Sequence, residues 1–146
     1  MGKRRKSREI ALQILYQMEV NPRDAQETIE LFWRSFSSTE EVKQFATRIV
    51  EGVSRQKEEI DTLIDKYSEH WRLDRMDWVD RNILRMGVYE LMYCDDIPIN
   101  VALNEAIDLG KKFGSEESGA FINGILDRLS KIEGRVTILR EGRNYG

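Results

Sequence analysis

The chain has 146 residues, of which 40% are hydrophobic and 34% charged, and it contains one cysteine and one histidine. This balance is typical of a helix-rich globular protein and excludes a disordered chain and a disulfide-bonded secreted scaffold. The sequence contains no apolar run of the roughly 18 residues that a membrane helix needs, and the basic N-terminus lacks the apolar core of a signal peptide, so we expect a cytoplasmic protein.

The charge is distributed unevenly along the chain. The net charge is −3, yet five of the first eight residues are basic and none is acidic, which leaves −8 for the remainder. The five basic residues are Lys3, Arg4, Arg5, Lys6 and Arg8. Such a concentrated basic segment is a better guide to the binding partners than the total charge is.

The first half of the chain has the apolar spacing of helices. One helix is predicted over about residues 5–19 and a second over about 24–36, with Pro22 between them. The break at Ser37, Ser38 and Thr39 is predicted to supply an N-cap for the next helix. Apolar stripes at residues 42–53 and 60–67 follow, and they indicate either one long helix or two helices with a bend.

The second half continues the helical pattern after a short irregular connector over about residues 70–77. Three helices are predicted: one over about 76–93, one that follows the turn at 95–98 and runs to about 113, and one over about 116–132. Gly87 lies inside the first of these, which indicates a close helix–helix approach. Gly114 is predicted to end the second in the left-handed conformation.

The fold prediction is therefore all-α, because no alternating strand pattern of useful length occurs. We expect six to seven helices in two small bundles that share a core, within a single domain over residues 1–146. The N-terminal helical half would cover about 1–70 and the C-terminal half about 71–133. A loosely held tail would follow over 134–146.

Groups that carry catalysis are scarce in this sequence. One histidine and one cysteine exclude a His/Cys metal site and disfavour a Ser-His-Asp or Cys-His arrangement. Phosphate-binding glycine loops are absent, and the many carboxylates are most simply solvated helix faces. We therefore predict a protein that is not an enzyme and that needs no metal or cofactor.

The first helix carries a basic face with an aromatic residue on it. On a helical wheel the apolar stripe runs from Ile10 to Met18, whereas Arg5 and Tyr16 lie on the opposite side. Cations neutralise phosphates, and an aromatic ring can stack on an unpaired base, so this face is a candidate for single-stranded RNA. The pattern alone is a weak signal, because basic N-termini are common.

A more specific signal is an ordered set of motifs. They are Arg4 to Tyr16, Val79 to Leu91, Asp95 to Pro98, Asn104 to Ile107, Lys112 to Gly114, and Phe121 to Asp127. Together they resemble the NusB family of bacterial transcription antitermination factors. The resemblance covers most of the chain, and between about residues 21 and 71 it depends more on helix pattern than on identical residues. It implies an architecture of two helical bundles.

The resemblance also implies which residues bind RNA. In NusB-like proteins the start of the first helix and the start of the last helix contact boxA RNA, a short single-stranded leader element. The matching residues are Arg4, Arg5, Lys6, Arg8, Tyr16, Glu117, Phe121 and Asn123. Lys6 stands where the family often has arginine, and lysine lacks the bidentate guanidinium. Periodicity alone favours a core position for Phe121, and we interpret Gly124 as a packing residue.

NusB-like proteins hold the ribosomal protein NusE with surfaces of their C-terminal half. Asp80 matches an acidic position of that assembly, and Arg81, Arg85 and Glu90 are its neighbours. Without the resemblance, Asp80 and Arg81 would be an exposed charged pair at a helix start, where Asp80 favours the helix dipole.

The functional hypothesis is a non-catalytic antitermination factor. It would bind boxA-like leader RNA together with NusE, within the antitermination complex of RNA polymerase, to promote read-through in ribosomal RNA operons. One alternative is a helical protein-interaction module without an RNA role. Another is an RNA-binding appendage related to that of ribosomal RNA cytosine methyltransferases. The sequence leaves open whether the free protein forms a homodimer.

Overall fold

The computed structural model describes residues 2–69 and 71–133. Within these residues the chain forms seven α-helices and a short 3-10 turn, with no strand, which confirms the all-α prediction. The helices are α1 Lys3–Val20, α2 Ala25–Ser35, α3 Glu40–Arg55, α4 Lys57–Tyr67, α5 Trp78–Tyr93, α6 Ile99–Phe113 and α7 Ser118–Ile132, and the 3-10 turn covers Leu73–Arg75. The predicted tail, 134–146, lies outside the described residues.

Local capping chemistry sets several helix ends. The Asp24 carboxylate accepts a hydrogen bond from the backbone N–H of Glu27 at 2.9 Å, and Thr39 Oγ1 accepts one from Val42 N–H at 3.3 Å. Each satisfies a donor that the first helical turn leaves without a partner. The two apolar stripes after Thr39 form two helices, α3 and α4, that are separated at Gln56.

Contacts divide the chain into two compact units, residues 1–57 and the residues from Glu58 onward. In the first unit α1 packs against α3 and α2, and α2 also contacts α3. The Ser7 hydroxyl lies 2.8 Å from the carbonyl oxygen of Lys3 and 3.0 Å from that of Val42, so it can donate to either and ties α1 to α3. Ile14, Ile49 and Val50 are fully buried.

In the second unit α5, α6 and α7 pack against one another. Every residue from Asn82 to Leu91 of α5 is buried, so α5 is the central helix of this unit. The predicted close approach at Gly87 is confirmed, because a Cβ there would lie 2.6 Å from Leu126 Cδ1 of α7.

Side-chain pairing explains why α4 belongs to the second unit, although the sequence analysis set the division between the helical halves near residue 70. Arg85 of α5 binds Asp61 of α4 through two hydrogen bonds of 2.8 and 3.2 Å. Tyr93 Oη donates a hydrogen bond to Glu59 at 2.5 Å. Burial, which is the largest cause, and the Glu59 carboxylate together raise the pKa of Tyr93 to about 12. These long-range pairs cannot be read from helix periodicity.

The left-handed conformation predicted for Gly114 is wrong. Its φ is −95° and its ψ is −162°, which is extended backbone that other residues also adopt. Glycine is needed there for space, since a Cβ would collide with the hydroxyl of Ser118.

Candidate functional site

The first turn of α1 presents a cluster of exposed cations. Lys3, Arg4, Arg5 and Lys6 are all exposed, and no acidic residue lies in this turn. Positive charge at a helix N-terminus opposes the helix dipole and costs about 0.3–1 kcal/mol per residue near the end. A sequence that keeps four such charges there sacrifices stability, while it gains cations at a helix N-terminus, where backbone N–H groups also attract an anion.

The other two predicted residues of α1 differ in accessibility. Tyr16 is 39% exposed, as a stacking residue must be, and lies about 18 Å along the helix axis from Arg4. Arg8 is only 2% exposed, and its guanidinium carbon lies 5.3 Å from the centre of the Phe45 ring in α3. A direct phosphate contact by Arg8 stays a prediction, and its burial favours a role in positioning α1 on α3.

The start of α7 and the connector before α5 border one concave depression of about 330 Å³. Its lining includes Trp71, Arg75, Met76, Asp77, Asp80, Ser115, Glu117 and Phe121. Trp71 is 57% exposed and meets Phe121 edge to face, with ring centres 6.4 Å apart. The depression therefore joins aromatic surface to carboxylates and to one arginine, a combination that suits a planar ligand carrying hydrogen-bond donors.

The carboxyl group of Asp80, which lines this depression, is perturbed by burial. Its Oδ1 is buried without a hydrogen-bond partner among the described residues. Burial raises the pKa of the Asp80 carboxyl, a hydrogen bond with Ser118 lowers it in part, and repulsion from Asp77 raises it further. Because this oxygen is itself buried, a ligand N–H could reach it only after the lining of the depression shifts.

The residues predicted on α7 have different surroundings. Glu117 is exposed at the N-cap position and makes no side-chain cap, and Asn123 is exposed. Phe121 is half-buried at the margin of the stripe formed by Ile122, Ile125, Leu126 and Leu129, so neither full burial nor full exposure describes it. The interpretation of Gly124 as a packing residue is wrong, since it is exposed and a Cβ there would meet nothing within 4 Å in the described part of the chain.

Three of the four predicted partner-binding residues are buried or make contacts inside the protein. Arg81 donates to the carbonyl oxygen of Met76 at 2.7 Å, which holds the connector against α5. Arg85 is buried in its pair with Asp61, and Glu90 is 3% exposed. Their contact with NusE stays a prediction, and of the four residues only Asp80 lines the depression beside Trp71 and Phe121.

Sequence reasoning missed Trp71 and Arg75 as candidate site residues. Trp71 stands in a polar connector where no helical stripe could bury it, which is the one signal that could have drawn attention to it. Its proximity to Phe121 depends on a contact between residues that are far apart in the chain, and no periodicity reports such a contact.

The described residues contain neither a cluster of metal ligands nor a helix suited to cross a membrane. No cluster of three or more His, Cys, Asp or Glu side chains that could hold a metal ion occurs among them. None of the helices in this part of the chain has the length and apolar character needed to cross a membrane.

Comparison with known proteins gives a consistent family. The sequence pattern of the NusB family matches residues 5–131. A transcription antitermination protein NusB from Syntrophus aciditrophicus is 50% identical over 129 residues, which are 88% of this chain and 80% of that protein.

Solved structures agree with the sequence comparison. A NusB structure from T. maritima is similar with a TM-score of 0.81 and 36% identity, over 92% of this chain and 94% of that one. A crystal structure of antitermination factors NusB and NusE in complex with dsRNA contains a chain that is similar with a TM-score of 0.79 and 30% identity, over 90% of this chain and 98% of that one.

Proposed function

The chain belongs to the NusB family, and from that membership we propose that it is a non-catalytic, RNA-binding transcription antitermination factor that acts together with the ribosomal protein NusE. The observation that carries this proposal is the match over residues 5–131, joined to the structural likeness with a NusB chain solved together with NusE and RNA. Its place of action would be the cytoplasm, within the antitermination complex of RNA polymerase at ribosomal RNA operons.

The proposed ligand is a boxA-like single-stranded leader RNA. Exposed cations support binding to an RNA backbone, and exposed aromatic rings support unpaired bases. The exposed cations of α1 can neutralise phosphates regardless of sequence, and Tyr16 is accessible for stacking. The Trp71–Phe121 pair, in the depression that Asp80 also lines, offers a second place where an unpaired base could stack.

The mechanism would be assembly, not chemistry. The RNA would contact the cations of α1 and the opening of α7, through Glu117, Phe121 and Asn123. NusE would bind the C-terminal half near Asp80. Because every contact is non-covalent, the protein would act by holding RNA and partner in one complex on the polymerase.

The direct test is the salt dependence of RNA binding by the Arg5→Ala variant. Each phosphate contact with single-stranded nucleic acid contributes about 0.7 to the slope of log affinity against log salt concentration. We expect Arg5→Ala to weaken binding of a boxA-like RNA several-fold and to lower this slope by about 0.7. The measurement is fluorescence anisotropy of labelled RNA over a series of salt concentrations.

Arg34→Ala provides the matched control, since Arg34 is an exposed arginine of α2 outside the α1 cluster. A scrambled RNA and a duplex of the same sequence test the preference for a single-stranded boxA-like ligand. If the unmodified protein binds none of these RNAs, alone or with NusE, the alternative of a protein-interaction module replaces this proposal. Light scattering of the free protein in the same buffer shows whether it forms a homodimer.

A further inference from the structure

Three arginine side chains surround the ring of Phe45 in α3. The guanidinium carbons of Arg4, Arg8 and Arg48 lie 4.3, 5.3 and 5.7 Å from the ring centre. Phe45 is 7% exposed, so the ring is a fixed platform for the cations. Arg4 and Arg48 also line one open cavity of about 260 Å³. The cavity thus brings a cation of α3 to the basic end of α1.

A hydrogen bond between α1 and α3, together with cation–π contacts to Phe45, fixes the residues that line this cavity. The Ser7 hydroxyl can donate to the carbonyl oxygen of Val42, the third residue of α3, and so sets the first turns of α1 against α3. Cation–π attraction to Phe45 holds each of the two guanidinium groups at the ring despite their like charge. Arg4 and Arg48 therefore line the same cavity, where guanidinium groups can bind a phosphate.

The charge of the cavity lining favours an anion. Lys3, Arg4 and Arg48 face one lining carboxylate, Glu41, which binds Lys3 at 2.6 Å. Both members of this ion pair are more than half exposed, so water screens it and a phosphate can displace it at little cost. Mutual repulsion among the cations falls when an anion enters between them.

A second depression continues the path along α3. It shares Gln44 and Arg48 with the first and adds Lys43 and Arg55 to the lining, together with Glu40, Thr47 and Glu51. Arg48 and Arg55 are two helical turns apart on one face, about 10 Å along the axis. Successive cations on an extended face suit a polymer of phosphates better than a single free ion.

We propose that Arg48, with Arg4 and Lys3, forms a phosphate-binding site that leads the RNA backbone from α1 onto α3. This inference rests on the proposed RNA-binding function and extends its surface to a helix that carries none of the residues implied by the NusB resemblance. The site binds phosphate through charge and bidentate guanidinium contacts, so it adds affinity without selecting a base.

The test compares Arg48→Gln with Arg34→Gln in the full chain, with labelled boxA-like RNA over a series of salt concentrations. We expect Arg48→Gln to weaken binding about five-fold and to lower the salt slope by about 0.7, since one phosphate contact is lost. Arg34→Gln removes the same charge from the same unit and should change both quantities much less. Arg48→Lys keeps the charge and should keep most of the slope while it loses the bidentate contact.

A variant that is expected to bind RNA more tightly distinguishes an effect on the site from a simple folding defect. Glu41→Gln removes the lining carboxylate and releases Lys3, so we expect RNA binding to tighten about two- to three-fold. Glu30→Gln, on the exposed surface of α2, is its matched control. Inorganic phosphate as a competitor distinguishes a site for free phosphate, which it would block at low concentration, from a site for the RNA backbone.

The outcomes separate this inference from the function on which it depends. If Arg5→Ala weakens RNA binding while Arg48→Gln and Glu41→Gln match their controls, the α3 site is refuted and the RNA-binding function stands. Loss of RNA binding in every protein, including the unmodified chain, refutes the function itself. Thermal unfolding of each variant shows whether a loss of affinity follows from a loss of folded protein, and in that case the Arg48→Lys and Glu41→Gln results decide.

Discussion

The carboxylate of Asp80 is held in an unfavourable state by its surroundings. Because burial raises its pKa in the folded protein, the folded state binds a proton more tightly than the unfolded state does. The ionised form therefore weakens the fold. That penalty is fully present above the folded pKa and disappears as the pH falls below the ordinary aspartate value of about 3.9. A residue that lowers stability at neutral pH is a candidate for a binding role.

We accordingly predict that Asp80→Asn increases the free energy of unfolding at neutral pH, because it removes the buried charge while it keeps the shape of the side chain. The gain should shrink as the pH is lowered towards 4, where the unmodified carboxyl also becomes neutral. Urea unfolding of both proteins at several pH values measures this difference.

Asp74→Asn is the control for this prediction, since Asp74 is exposed in the connector and pairs with Arg72 at 3.3 Å. It should gain no stability at neutral pH. A loss of stability in Asp80→Asn at neutral pH would instead mean that the charge makes a favourable contact within the folded protein.

Individual site residues could be predicted from the sequence only where the family motif or the helix face marks them. Arg5 and Tyr16 are exposed as the wheel predicts. Arg8 is buried, because the Phe45 ring of α3 covers that flank of α1 and a wheel of one helix contains no information about its neighbours. The same reason explains why Trp71 and Arg48 were missed.

For the helices, the capping residues are the clearest local signals of where a helix begins. Asp24 and Thr39 act on backbone groups three residues away, so their effect is local and predictable. The break at Gln56 has no glycine or proline to mark it. There the pairing of α4 with α5, through Asp61 and Arg85, decides the structure. Local signals therefore set the helix starts, and long-range contacts resolve what they leave open.

The substitution of glycine by alanine is predicted to have opposite effects on stability at Gly87 of α5 and at Gly124 of α7. Gly87→Ala should destabilise the protein by about 1–2 kcal/mol, because the new methyl group would press on Leu126, which is fully buried, and this outweighs the better helix propensity of alanine. Gly124→Ala should stabilise it by up to about 1 kcal/mol, because only the propensity term operates at an exposed position.

Urea unfolding at one pH measures both variants, and each is the control for the other. A destabilised Gly124→Ala protein would contradict the open surroundings of that residue. If Gly124→Ala is more stable and yet binds RNA less well, a ligand must approach the backbone of α7 closely at this point.

The two structural units differ in net charge. Residues 1–57 contain eleven basic and eight acidic side chains, a net charge of +3, which leaves −6 for residues 58–146. Net charge alone therefore favours RNA at the first unit and disfavours it at the second. The sequence already predicted a basic beginning in an acidic chain, and the division of contacts at Glu58 assigns the two charges to two separate structural units.

This difference in net charge leads to a prediction about NusE. If NusE covers acidic surface of the second unit, it removes repulsion on the RNA, and the two ligands must then strengthen each other. We expect NusE to tighten binding of a boxA-like RNA by about 5- to 150-fold, the range of ordinary coupling free energies, and RNA to tighten NusE binding by the same factor. Titrations of RNA with and without NusE, and of NusE with and without RNA, measure both sides of the cycle.

The salt series shows how such coupling arises. A steeper salt slope in the presence of NusE would mean that the partner adds phosphate contacts, whereas an unchanged slope with tighter binding would mean that NusE orders the RNA-binding surface. A scrambled RNA controls for charge alone and should gain less. Equal RNA affinity with and without NusE would contradict cooperative assembly, because a partner that acts through the same complex must change the free energy of binding of the other ligand.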